Sequence, residues 1–137
     1  NEQDRVEANL YKLLDNIASE GICTYVAYRA LPIFSVEDER DYRMLDNFEE
    51  VHHAFARTNT ILSHVGRLPV EELQKLSWNQ GVMERAYYVT GAHLCRTIDT
   101  LKGRAALIDV YSKGPLSIIE LYNSIAEENL KITLPVE

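Results

Sequence analysis

Glu20 stands beside Gly21 at the front of ASEGICTYVAYRALP, residues 18 to 32, an otherwise apolar run that ends at Pro32. A helical glutamate normally sits on a solvated face, so Glu20 is either ordinary surface charge or an acid aimed at a ligand. Histidine is the common metal ligand and the usual acid or base near neutral pH, and the chain has four: His52, His53, His64 and His93. In EEVHHAF, Glu50 and His53 lie three apart and share a helix face, as in the ExxH units of carboxylate-bridged metal bundles. That template needs an ExxH from a second helix as well, which the sequence lacks, so a solvated helix face is the plainer reading. No GxSxG marks a serine nucleophile, and neither Cys23 nor Cys95 has a papain-like or caspase-like context. Cys95 follows His93 by two residues, a spacing that points to different faces of a helix. KGR at 102–104 and KGP at 113–115 lack the glycine spacing of a phosphate-cradling loop.

Helices must position these groups. Val6, Leu10, Leu13, Leu14, Ile17 and Ala18 recur at three and four, and the pattern continues past Gly21 through Ile22, Tyr25, Val26 and Ala30. Leu31 is disfavoured as helical because Pro32 follows it. A mid-helix glycine costs about 1 kcal/mol relative to alanine, so either something approaches closely at Gly21 or the helix bends there. Ser35 is a good N-cap, with Glu37, Asp38 and Glu39 placed to suit the helix dipole. From it one long helix is expected, with Tyr42, Leu45, Phe48, Val51, His52, Phe55, Ile61 and Leu62 on its apolar face, closed by Gly66 and Pro69. A short helix over Val70 to Leu76 follows, then one from about Gln80 to Leu101 that stops at Gly103. Two more, Arg104 to Tyr111 and Leu116 to Ala126, are separated by the turn-forcing KGP. The end, LKITLPVE, alternates and holds a proline, which predicts an extended tail or a short edge strand. The expectation is an all-α fold, a single helical domain over residues 1–137 with five to six helices.

Composition narrows the function classes. The chain has 137 residues, 46% of them hydrophobic, enough for one domain with a real core. Fourteen lysines and arginines against 21 aspartates and glutamates give a formal charge of -7, which argues against nucleic acid or anionic lipid as a partner. No apolar run reaches the roughly 18 residues that suggest a membrane span, and the polar, acidic opening NEQDRVEANL is neither a signal peptide nor a basic transit sequence. Nothing in the residues names a compartment. The two cysteines form no CxxC, and both are expected to be buried thiols.

Two blocks, LLDNIASEGICTYVAYRA and RAYYVTGAHLCRTIDTLKGRAALIDVYSKGPLSIIELYN, together and in this order resemble the helical C-terminal half of zinc-dependent peptidases of the HExxH, glutamate-zincin type. In such proteins an HExxH helix supplies two histidine ligands and a general-base glutamate, and a later helix with an E-G-[IL]-A-like motif supplies a glutamate as the third ligand. Glu20, Gly21 and Ile22 match that motif, with Cys23 where a small alanine is usual. Tyr88 and Gly91 match a Y-x-x-G block, and Gly103, Arg104, Leu107, Pro115, Tyr122 and Asn123 match the turn and helix that follow. The departure is that no HExxH occurs in the chain, and adjacent His52 and His53 cannot replace histidines four apart. The resemblance implies Glu20 as a zinc ligand, with zinc a cofactor only where an HExxH segment is supplied, and a peptide or protein as substrate. It also makes Tyr88 the preferred donor to a tetrahedral oxyanion, with His93 second. Five residues separate the two, so only one should point inward.

Plainer roles stand beside these. Glu20 reads equally as a partly exposed helix carboxylate; Tyr87, Tyr88 and Tyr111 read as core-edge groups with hydrogen-bonded hydroxyls, and Trp78 as a lid over the core. Three functions follow. The first is a metallopeptidase-like domain contributing one ligand and a cleft wall, not catalytic alone and completed by an HExxH segment from preceding sequence or another chain, with a homo-oligomer as a further partner state; the abrupt polar start is consistent with a cut or processed end. The second is a non-enzymatic module that binds a protein or ligand in an exposed apolar groove. The third is a metal bundle in which a facing helix brings an acid or histidine to Glu50 and His53.

Overall fold

In the computed structural model, residues 1–30 and 35–135 are described, and the expected helix stop at Leu31 and Pro32 lies outside them. The stripe that begins at Val6 builds α1, Glu2–Ala30, which buries Leu13, Leu14, Ile17, Ala18, Gly21, Thr24 and Tyr25. Next come α2 (Val36–Leu45), α3 (Phe48–Ser63) and the short α4 (Val70–Leu76). A π-helical segment over Ser77–Met83 leads to α5 (Ala86–Lys102), followed by α6 (Arg104–Lys113) and α7 (Pro115–Ile125). Seven α-helices and no strand among the described residues confirm the all-α class, with one helix more than the upper expectation.

The extra helix comes from a break in the predicted long second one. Asn47 takes an extended backbone, and its side-chain oxygen accepts from the Glu50 N–H at 3.2 Å, so it caps α3 instead of continuing α2. Ser35 caps α2 as expected, accepting from the Asp38 N–H. The expected start near Gln80 of the helix that is α5 in the structure is also displaced. Gly81 lies flush against the Tyr87 ring with no room for a Cβ, the chain there is π-helical, and it turns at Arg85 before α5 begins.

The core sits where α5 runs between α1 and α3, with Tyr87, Val89, Ala92, Cys95 and Ile98 of α5 fully buried. Gly103 and Gly114, with φ of 92° and 110° and nearly flat ψ, end α5 and α6 in a backbone region open essentially only to glycine. Pro115 then opens α7 at a position where its missing N–H is no loss. The tail is extended as predicted, but its backbone pairs with side chains. The Asn123 amide donates to the Ile132 carbonyl and accepts from the Ile132 N–H, both at 2.9 Å. Asn59 treats Lys131 and Thr133 the same way. The Tyr122 hydroxyl donates to the Leu130 carbonyl at 2.6 Å. The Tyr-Asn pair at 122 and 123 is therefore the anchor of the tail. No described helix is long and apolar enough to cross a membrane.

Candidate functional site

The close approach that Gly21 required is supplied by Gly91. A Cβ on Gly21 would come within 2.7 Å of the Gly91 carbonyl oxygen, and one on Gly91 within 2.6 Å of the Gly21 Cα. The helix that comes close at Gly21 is thus α5 of this same domain. This crossing sets the preceding residue of α1, Glu20, opposite Tyr88 of α5, both partly buried. Burial pushes the Tyr88 phenol up, the Glu20 carboxylate adds to the rise by its charge, and the Arg85 guanidinium opposes it.

Arg85 reaches this spot from the N-cap of α5, three residues before Tyr88, and its guanidinium carbon lies 3.4 Å from the centroid of the Tyr88 ring. The edge of the same guanidinium holds Asp41 of α2 through two bonds, Nε to Oδ1 at 2.8 Å and an Nη to Oδ2 at 2.7 Å. Asp41 is only 2% exposed. Burial pushes its carboxyl up and the guanidinium pulls it back, while the carboxylate holds Arg85 firmly protonated. A second pair runs beside the first with the charges exchanged: Arg40 of α2 donates to Glu84 at 3.2 Å and to the Met83 carbonyl. Sequence reasoning missed Asp41 and Arg85 because they are paired across the fold. The one local signal was the spacing of three between Arg85 and Tyr88.

His93 is placed elsewhere. Its ring packs edge-on against Phe55 of α3 and Tyr122 of α7, and its Nδ1 lies 3.0 Å from a guanidinium nitrogen of Arg96. Burial, then the charges of Arg96 and His52, lower it to about 4, which keeps it neutral. The structure therefore brings Glu20 and Tyr88 together and puts His93 on the α3 side of α5. His52, against Phe48, has a buried Nε2 with no hydrogen-bond partner. His53 is exposed and Glu50 half-buried. Among the described residues no group of three or more histidines, cysteines, aspartates or glutamates is placed to hold a metal ion, which leaves the Glu50 and His53 bundle without its further ligand.

Tyr87 and Tyr111 behave as packing residues: the Tyr87 hydroxyl meets Ser77 at 2.5 Å, and that of Tyr111 donates to the Ala18 carbonyl at 2.6 Å. Trp78 is 58% exposed on the π segment, so it does not lid the core. Cys95 is buried, its Sγ 3.2 Å from the Tyr111 hydroxyl, whereas Cys23, expected to be buried, is exposed because its position on α1 faces away from α5. Arg104, matched by the resemblance, grips Asp99, which also accepts from Tyr25 at 2.6 Å.

These features define an all-α domain in which a carboxylate and a phenol face each other across a glycine-to-glycine helix crossing. A family described as "Putative zinc dependent peptidase (DUF5700)" matches residues 1–131, and the chain belongs to that family, as the two sequence blocks imply. No curated protein and no solved structure matches the chain. A catalytic zinc takes three protein ligands, and the described residues do not form such a set. Glu20 offers one donor, so these residues do not make a zinc centre by themselves.

Proposed function

We propose that this chain is the helical part of a zinc peptidase site that supplies one ligand and one wall, and is not catalytic alone. Glu20 serves as one carboxylate donor, and the other ligands come from an HExxH segment outside these 137 residues. Tyr88 serves as the phenol that donates to the oxygen gaining charge when a peptide carbonyl is attacked. Its ionisation is pushed up by burial and by Glu20, so the hydroxyl keeps its proton at neutral pH and remains a donor. The observation that carries this reading is the backbone contact of Gly21 with Gly91 where α1 crosses α5, which sets Glu20 near Tyr88, the two residues singled out by the resemblance, with the Glu20 charge raising the Tyr88 phenol. The test is the intact mass and zinc content of the protein isolated from its natural source. A longer chain with about one zinc, released by Glu20→Ala in the recombinant form, is the expected result. A 137-residue chain free of zinc overturns it.

A binding module is the second reading, favoured by an apolar groove of about 420 Å³ between α1 and α6. Ile22, Val26, Leu107 and Ile108 line it, with Val26 58% and Ile108 62% exposed. Under that reading the groove, not Glu20, is the functional surface.

A further inference from the structure

Arg85 is the one non-glycine residue with positive φ among those described, at φ 66° and ψ 17°. An L side chain is disfavoured there, and glycine would adopt the same turn without strain. The side chain must therefore supply something that the turn itself does not need. It is fully committed: its edge forks onto the buried Asp41 carboxylate, and its flat face lies on the Tyr88 ring. With its side chain only 15% exposed, it has little left to offer a substrate. What it can act on is Tyr88, three residues further on and one side of the pairing with Glu20.

We propose that Arg85 is the positioning residue of the site, a plate held by Asp41 on which the Tyr88 ring rests, so that the phenol is aimed at Glu20. The inference builds on the reading of Glu20 and Tyr88 given above. A planar guanidinium fixed by a two-point fork sets both the height and the tilt of a ring stacked on it, which a point charge on a flexible stem cannot do. The fork fixes the plate because its acceptor, Asp41, is on a separate helix, α2, whose preceding residue Arg40 also pairs with Glu84 beside Arg85. The anchoring thus comes from α2, outside the two helices whose crossing brings Glu20 and Tyr88 together.

The test uses this chain without metal, so it does not depend on catalysis. Tyrosines are labelled with ¹³C at Cζ, the Tyr88 signal is assigned with Tyr88→Phe, and its ionisation is followed by NMR in the wild type and in Glu20→Gln. Glu20→Gln is expected to shift the Tyr88 midpoint down, because a neighbouring negative charge is lost. In an Asp41→Asn/Arg85→Gly background that downward shift is expected to vanish, because nothing then holds the phenol against residue 20. This background leaves no unpaired buried charge and no strained residue, and its fold is checked by circular dichroism. Arg85→Lys, which keeps the charge without the plate, should give a reduced shift. A shift that persists undiminished in both backgrounds overturns the positioning role. Loss of zinc from Glu20→Ala in the complete protein would still stand in that case, so the two readings fail separately. If Glu20→Gln leaves Tyr88 unmoved even in the wild type, the pairing itself is wrong and both fall.

Discussion

Gly21 and Gly91 meet backbone to backbone where α1 crosses α5, and a methyl group on either would run into the main chain of the other. Main chain cannot swing aside as a side chain can. Gly21→Ala and Gly91→Ala should therefore each cost about 3 kcal/mol or more, at or beyond the upper end for overpacking. Gly103→Ala, at a φ of 92° with open space around it, should lose stability through backbone strain alone, about 1–3 kcal/mol. Urea unfolding midpoints of the three variants test the order. A Gly91→Ala protein as stable as the wild type would remove the crossing.

Under the proposed function, Tyr88→Phe in the complete, zinc-loaded protein should lower kcat on the order of 10²-fold with little change in KM, as when one oxyanion donor is removed. Steady-state rates on a peptide substrate measure this. An unchanged kcat would take Tyr88 out of the chemistry.

His93 is lowered from 6.5 to about 4, chiefly by burial. The unfolded chain takes up a proton at this residue near pH 6.5 while the folded one does not until about pH 4, so stability should fall as pH drops through that window. The full loss is on the order of 3 kcal/mol at about 1.4 kcal/mol per pH unit. Asp99 acts lower. Its bond from Arg104, then that from Tyr25, depress it from 3.8 to about 2, so its contribution is present above 3.8 and lost as pH falls towards 2. Denaturant midpoints across pH should therefore flatten between about 6.5 and 4 in His93→Phe, and only below that in Asp99→Asn.

A maleimide should modify native protein at one thiol. Cys23 is exposed, while Cys95 is fully buried and its thiol is pushed up to about 12 by burial. Peptide mapping after brief labelling is expected to find adduct on Cys23 alone, with Cys95 reacting only after denaturation.

Asn123→Ala removes both bonds to Ile132, whose side chain is 3% exposed. A cost of about 1–3 kcal/mol and rapid exchange of the Ile132 amide proton are expected. Asn59→Ala should speed exchange at Thr133 in the same way.

Spacing made most of the helices legible. The apolar stripe of α1, the cap at Ser35, and the glycines and proline around α6 and α7 each act within a turn or two of chain, where a sequence can be read directly. The break at Asp46 and Asn47 was hidden because Leu45, Phe48 and Val51 keep apolar spacing across it, although Phe48 is 64% exposed. The π segment was hidden because its cause, Gly81 against Tyr87, is a contact of the folded chain. Of the proposed site, Glu20 and Tyr88 were singled out through the resemblance. Asp41 was not, since an aspartate on a charged helix carries no mark of having a partner 44 residues away. Cys23 was misplaced because an apolar neighbourhood in sequence did not decide which side of α1 it occupies.

The two ion pairs between α2 and the turn before α5 have opposite polarity, Arg40 to Glu84 and Asp41 to Arg85. Sliding α2 by one residue would set Asp41 against Glu84, or Arg40 against Arg85, like against like. A mismatch of that kind costs far more than an exposed pair contributes. The charges thus work as a keyed plug: they favour one register of α2 and disfavour its one-residue slips.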